Sequence, residues 1–373
     1  KGLSVENIGK SMQFSFALGS SYFIEIAKIR AARLLWSAIV EQYHPATKEA
    51  ASIHIHGITS SWNKTVYDPY VNMLRTTTEA MSGAIAGCNS ISVNPFDNPF
   101  KPDDVFSRRI ARNQQLILKE EAYLNKIIDP SAGSYYLENL TNIIAEEAWE
   151  LFKLVESKGG FLKAVETGFI KERIMQSAEK QKERIAYRKQ TILGTNQYPD
   201  AGVAMLDKMK KPVVKSYPGL NLQRAAMPFE LLRMMTEQYV KEGNPQPKVF
   251  LLTMGDITMR KARASFAGNF FGCAGYIIVN SNGFSSVEEA VDAALESEAN
   301  IVVICSSDDA YAEIVPPITK EIKKHSKETI VVVAGNPVNI IQSLKETGVD
   351  YFIHVKTNML ASLQRFHEMI GIK

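Results

Sequence analysis

The sequence has only three cysteines in 373 residues, Cys88, Cys273 and Cys305, an odd number embedded in apolar stretches. That excludes a disulfide framework and suits a reducing compartment, which we take to be the cytoplasm. No apolar run is long enough to span a bilayer as a helix, and the N-terminal KGLSVENIGKSMQ lacks the layout of a signal peptide, so no membrane association is expected. Neither sign of charge dominates, because 43 Lys and Arg face 40 Asp and Glu, leaving +3. The basic residues are scattered among acidic neighbours, which gives no nucleic-acid footprint, and the run Lys320 to Lys327 reads as a solvated helix face. Gly-x-x-x-x-Gly-Lys-Ser/Thr, Gly-x-Gly-x-x-Gly, His-Glu-x-x-His and Cys-x-x-Cys are all missing, which removes the commonest phosphate and zinc sites. Any site must therefore come from residues that the fold brings together.

What is present is an α/β pattern in two parts, as expected for a chain too long for one ordinary core. In residues 247–373 five short, β-branched apolar runs (KVFLLT, YIIVN, NIVVICS, TIVVVAG and YFIHV) alternate with amphipathic segments. Ser285-Ser286-Val287-Glu288 carries capping-box chemistry, a hydroxyl followed by a carboxylate at the third helical position. The spacing predicts a doubly wound, flavodoxin-like parallel sheet whose ligand site lies beyond the carboxyl ends of the strands.

Residues 1–197 alternate strands with longer helices. Three candidate strands share one pattern: Gln13, Ser15 and Ala17 oppose Phe14, Phe16 and Leu18; Ser52, His54 and His56 oppose Ile53 and Ile55; Ser90, Ser92 and Asn94 oppose Ile91 and Val93. Half-exposed antiparallel strands would show the same alternation. The intervening helical stretches YFIEIAKIRAARLLWSAIVEQY and PYVNMLRTTTEAMSGAIAG favour parallel β/α units with the polar face turned toward a barrel axis. His54 and His56, two apart on one face, have the spacing of metal ligands but no third partner, so no metal site is expected. Hydrogen bonding or proton donation to a carbonyl, and simple satisfaction by neighbouring hydroxyls, are the other uses of such histidines. Residues 198–246 form a connector with one helix near Pro228 to Lys241. The breaker clusters TILGTNQYPD, KKPVV and GNPQP lie at or near it.

The stretches FIEIAKIRAARLLW, HGITSSWNKTVYDPYVNMLRTTTEAMSG, FSRRIARNQQLIL and IIDPSAGSYYLE, followed by VESKGGFLKAVETGFIKERI, resemble consecutive parts of the methylmalonyl-CoA mutase barrel. The C-terminal sheet resembles that family's cobalamin-binding domain. The resemblance implies a (β/α) TIM-type barrel, present here as its second half, followed by a flavodoxin-like, cobalamin-binding-type domain. Only three or four of the eight barrel strands are found, which implies a piece of a longer subunit. In the family the acyl-CoA threads along a small-residue polar barrel face, which here carries Gln13, Ser15, His54, Asn89, Ser90 and Ser92. His56 matches the family's active-site histidine, although the family's Thr-His-Cys-Gln-Thr-Ser-Gly reads Ile-His-Gly-Ile-Thr-Ser-Ser here. Asn89 and Ser92 stand in for a glutamine and a histidine, and Glu121 matches a glutamate near the cofactor's adenosyl group.

The departures are concentrated in the second part. The family's Asp-x-His-x-x-Gly, whose histidine ligates cobalt, reads Asp256-Ile257-Thr258-Met259-Arg260-Lys261. Its Ser-x-Leu reads Ser306-Ser307-Asp308, and its Gly-Gly reads Ala334-Gly335. Thr258 offers no imidazole, and Lys261 and Asp308 bring charge to a cofactor cleft. These residues imply a small, non-catalytic mutase subunit that binds no cobalamin and stabilises a large catalytic subunit carrying adenosylcobalamin. The alternatives are an active acyl-CoA mutase with altered cofactor ligation or acyl specificity, and a regulatory or other ligand-binding module on the same fold.

Overall fold

The protein is described by a computed structural model over residues 2–210 and 223–373. Beyond Lys210, the KKPVV cluster lies outside the described residues. The chain divides into two compact units, one from Lys1–Glu179 and Met209–Ala225, the other from Lys180–Lys208 and Ala226–Lys373.

The first unit is built on a parallel sheet of three strands in the order β1-β2-β3: β1 (Gln13–Leu18), β2 (His54–Thr59) and β3 (Ser90–Ser92). The parallel pairing removes the antiparallel alternative. Its cause is visible in the connections, since the helices Tyr22–Glu41 and Val71–Ile85 return the chain to the same end of the sheet. Those helices cover the apolar face. Leu18 and Ile55 are fully buried with Ile26 and Ile29 of the first helix, and Leu137 of the helix Tyr135–Ser157 joins them. Phe14 meets Trp36 edge-on with ring centroids 4.9 Å apart. Gly83 lets its helix approach the sheet closely, because a Cβ there would sit 2.5 Å from Leu18 Cδ1.

The second unit holds five parallel strands in the order β5-β4-β6-β7-β8: β4 (Lys248–Thr253), β5 (Ile277–Asn280), β6 (Ile301–Cys305), β7 (Ile330–Ala334) and β8 (Tyr351–Ile353). β6 and β7 are buried along their whole length, as expected for strands covered on both faces. The order reverses between β4 and β6, the switch point at whose carboxyl ends open α/β sheets ordinarily hold their ligands. The helix that follows β5 starts one residue later than the sequence suggests. Its cap is Ser286, which accepts from Glu289 N–H at 3.2 Å, so Glu289 rather than Glu288 takes the third helical position. The reason is that Ser285 remains outside the helix, where its own N–H is 3.4 Å from the Glu289 carboxylate.

Much of the expected connector packs into this second unit. The helix Met227–Lys241 starts with Pro228 in its first turn, and its Thr236 hydroxyl donates to Ala274 O at 2.7 Å. Buried Asn196 organises the segment before it, accepting from Ile192 N–H at 2.8 Å and donating to Ile185 O and Gln190 O at 3.0 and 2.9 Å. Glu237 accepts from the backbone N–H groups of Met205 and Leu206.

Candidate functional site

Strand register gathers the polar residues of the first unit onto one open face. Gln13 lies beside His54, and Ser15, His56 and Ser90 form a row across all three strands. Ala17, Ile58 and Ser92 form the next row. Gln13, Ser15, His54, Ser90 and Ser92 are exposed while the alternate residues are wholly or partly buried, so the alternation read in the sequence is a real division between solvent and core. His56 Nδ1 shares a hydrogen bond with Ser90 Oγ at 2.7 Å, which fixes the ring on the face. The other ring nitrogen, Nε2, belongs to a side chain only partly covered. Such a face can hydrogen-bond an extended polar chain, and His56 can donate to or accept from a carbonyl or hydroxyl laid on it.

Asn89 does different work. Its side-chain oxygen accepts from Ile55 N–H at 2.9 Å and from Arg33 Nη2 at 3.2 Å, while its own N–H donates to Ile55 O at 2.8 Å. It extends the β2–β3 ladder by one side chain. Glu121 is exposed and ends a single π-helical turn, Ile117–Glu121, that widens the end of the helix Val105–Leu116. Among the described residues no three His, Cys, Asp or Glu side chains converge to hold a metal ion.

A second polar cluster, which the sequence reading did not single out, is buried behind the loop that follows β2. Lys64 Nζ lies 2.7 Å from both carboxylate oxygens of Glu79, with side-chain exposures of 4% and 0%. Asn63 bridges them, donating to Glu79 Oε1 at 2.8 Å and accepting from Lys64 Nζ at 2.9 Å. Burial pushes the Glu79 carboxyl up and the Lys64 ammonium down, each partly offset by the charge of the other. Nearby Asn72 donates to Thr65 O and Phe96 O at 2.8 and 2.9 Å. The signal was a lysine at a turn followed by a glutamate fifteen residues on, a spacing no simple periodicity marks.

In the second unit the predicted residues do come together, at the carboxyl ends of β4, β6 and β7. Asp256 caps the helix Ile257–Gly272 through Met259 N–H at 2.8 Å, and Thr258 and Lys261 stand exposed on its first turns. Ser306 is fully buried, and its hydroxyl has no hydrogen-bond partner among the described residues. Asp308 Oδ1 pairs with Arg263 Nη2 at 3.0 Å. The phenol of buried Tyr311 donates to Ala334 O at 2.8 Å and accepts from Ser306 N–H at 3.1 Å. Beyond β8, burial and then the charges of Lys356 and Arg263 hold the His354 imidazole below its usual range. Arg260, Arg263 and Tyr311 are the residues that sequence reasoning missed here.

The sequence profile of methylmalonyl-CoA mutase matches residues 1–216. Over its whole length the chain is 49% identical to the methylmalonyl-CoA mutase small subunit of Porphyromonas gingivalis, covering 60% of that protein. It is 34% identical to the small subunit of Streptomyces virginiae, with 87% of this chain and 52% of that protein aligned. The methylmalonyl-CoA mutase large subunit of Porphyromonas gingivalis is 27% identical over 93% of this chain and 59% of its own length. The chain thus spans about three fifths or less of these curated relatives.

Proposed function

This chain belongs to the methylmalonyl-CoA mutase family, and on that premise we propose that it acts as a small, non-catalytic mutase subunit, bound to a large subunit that carries adenosylcobalamin. The holoenzyme then interconverts methylmalonyl-CoA and succinyl-CoA. That Porphyromonas gingivalis has both a small and a large subunit similar to this chain supports such a pairing. The strand order β5-β4-β6-β7-β8 supports a flavodoxin-like, cobalamin-binding-type domain, and the β/α units of residues 1–197 support a portion of a TIM-type barrel. Three free cysteines suit the cytoplasm, and no described helix is long and apolar enough to cross a membrane.

One observation carries the non-catalytic reading: the carboxyl edge where the family's cofactor would sit does not fit it. Thr258 presents a hydroxyl in place of the imidazole that would ligate cobalt, and Lys261 adds an ammonium beside it. The space in front of Gly335 is already taken, since a Cβ there would lie 2.7 Å from the Tyr311 ring and 2.8 Å from Asp308 Oδ1. No step of the reaction is therefore assigned to this chain through that cofactor. What remains is stabilisation of the partner, and a subunit present at a hundred times its Kd adds about 2.7 kcal/mol to the folded partner.

A second reading is favoured by the open face around His56 and Ser90, which is built to receive a polar chain. On it the protein is an acyl-CoA mutase with altered cofactor ligation. Co-expression with the large subunit, followed by gel filtration and turnover assays of each subunit alone and together, separates the two. We expect co-elution, activity in the complex, and none from this protein alone with adenosylcobalamin. Turnover of methylmalonyl-CoA by this protein alone would establish the second reading instead.

A further inference from the structure

Three glycines punctuate the carboxyl edge of the second unit's sheet, and each is backed by a side chain of the same unit. A Cβ on Gly255, after β4, would lie 2.8 Å from Ser306 Oγ. On Gly283, after β5, it would lie 2.5 Å from the Arg260 guanidinium carbon, and on Gly335, after β7, 2.7 and 2.8 Å from Tyr311 and Asp308. Glycines at such an edge ordinarily leave room for a ligand to approach backbone. Here the room is used internally.

Arg260, one of the fillers, and Arg263, which pairs with the filler Asp308, share one origin. Arg260 and Arg263 are three residues apart on the first turns of the helix Ile257–Gly272, hence neighbours on its surface, and they reach to opposite sides. Arg260 donates to Gly255 O at 3.2 Å and to Asn282 O at 3.5 Å, tying the β4 loop to the β5 loop. Arg263 donates to Asp308 Oδ1 at 3.0 Å, tying the same helix to the β6 loop across the point where strand order reverses. Tyr311 anchors the far wall, its ring fully buried. With side-chain exposures of 22% and 46%, the Arg263–Asp308 pair contributes little attraction of its own. Its effect is the volume it fills and the loops it joins.

We infer that Arg260 and Arg263 form a splint along the carboxyl edge, Arg263 across the switch point and Arg260 beside it, that keeps a ligand out of the switch-point crevice, so that ligand exclusion by this unit is a built packing arrangement and not only the absence of a cobalt-ligating histidine at position 258. The inference rests on the cobalamin-type reading of the second unit. It requires that restoring the ligand alone leave the crevice closed.

Aquocobalamin serves as the probe, read by its visible spectrum and by co-elution on gel filtration. The variant T258H/K261G is expected to show no retained cobalamin, whereas T258H/K261G/R260A/R263A retains it with an apparent Kd at least tenfold lower. T258H/K261G/R263D/D308R keeps the volume and the pair with reversed charge, and is expected to stay closed. Binding by T258H/K261G as tight as by the fourfold variant overturns the inference, as does a fourfold variant that melts cooperatively yet fails to bind. Hydrogen exchange of R260A/R263A without cobalamin provides an independent check, with exchange at residues 254–256, 281–284 and 306–308 expected at least tenfold faster than in the parent. Unchanged exchange there also overturns it. Failure of the subunit assignment itself would appear separately, as loss of co-elution between the unmodified protein and the large subunit.

Discussion

Replacing Lys64 by Met strips the countercharge from a carboxylate that has no access to water. In the native unit Glu79 receives two contacts of 2.7 Å from Lys64 Nζ and one hydrogen bond of 2.8 Å from Asn63, and its side chain is 0% exposed. After Lys64→Met only the Asn63 bond remains at close range, with Arg75 acting from further away. Removing one member of a buried ion pair costs about 3–5 kcal/mol, because the other charge stays desolvated. Proton uptake by Glu79 relieves part of that cost. Burial already raises this carboxyl above its usual 4.5, so the native state holds the proton to higher pH than the unfolded chain does. The associated stability is fullest below pH 4.5 and is lost as pH rises through the folded pKa, at no more than about 1.4 kcal/mol per pH unit. Without Lys64 the folded pKa rises further, so the loss in the variant is smallest under acid conditions and grows toward neutral pH. All three tryptophans, Trp36, Trp62 and Trp149, belong to the first unit, so urea unfolding followed by tryptophan fluorescence reports that unit selectively. The double variant K64M/E79L is expected to be more stable than K64M, since an apolar pair leaves no buried charge. A loss under about 1 kcal/mol at neutral pH, or one that does not vary with pH, would refute the reasoning.

The other predictions concern single groups. Asn89→Ala leaves Ile55 N–H without its acceptor, while Arg33 Nη2 keeps its bond to Gly87 O, and about 1–2 kcal/mol of first-unit stability should be lost by the same fluorescence measurement. Asn89→Asp, which keeps the acceptor, should recover most of it; equal losses in the two variants would mean the hydrogen bond is not the cause. His367 is buried against Tyr276 with its Nε2 bonded to Thr236 Oγ1 at 3.1 Å, and burial lowers its pKa from 6.5 to about 4. The unfolded chain therefore binds the proton first, and about 3 kcal/mol of second-unit stability is lost as pH falls from 6.5 to about 4. Hydrogen exchange of peptides from residues 226–373 should show that acid sensitivity, and His367→Gln should abolish it.

The faces of β1, β2 and β3 were legible in the sequence because side chains alternate strictly along a strand, and helices between the runs implied parallel pairing. The row Ser15, His56, Ser90 was not, since register depends on how three separate segments align. Asn89 illustrates the same limit from the other side: the family resemblance implied a substrate contact, and the backbone ladder that its oxygen completes was not visible in the sequence. The convergence of Asp256, Ser306 and Ala334 followed from topology alone, because parallel strands deliver their carboxyl ends to one edge. Lys64 escaped notice because lysine at a turn is almost always solvated, and only packing shows that this one is 4% exposed. Arg263 escaped because its partner lies 45 residues away.

If the second unit is a cofactor-free member of the cobalamin-binding type, as proposed above, loss of one ligating residue alone would not require its carboxyl edge to be filled. In the second unit that edge is filled by side chains packed against one another. Asp308 meets Arg263, and the side chains of Asp308 and Tyr311 lie against Gly335. Each contact adds packing at this edge, so on the proposed reading admitting the cofactor would mean giving up those contacts as well as supplying a histidine. The first unit differs in kind, because on its polar face Ser15, His54, Ser90 and Ser92 are exposed and His56 is only partly covered. Binding assays on the two units should therefore diverge: single substitutions at His56 or Ser90 act on an open surface, whereas single substitutions at the carboxyl edge act against a packed one.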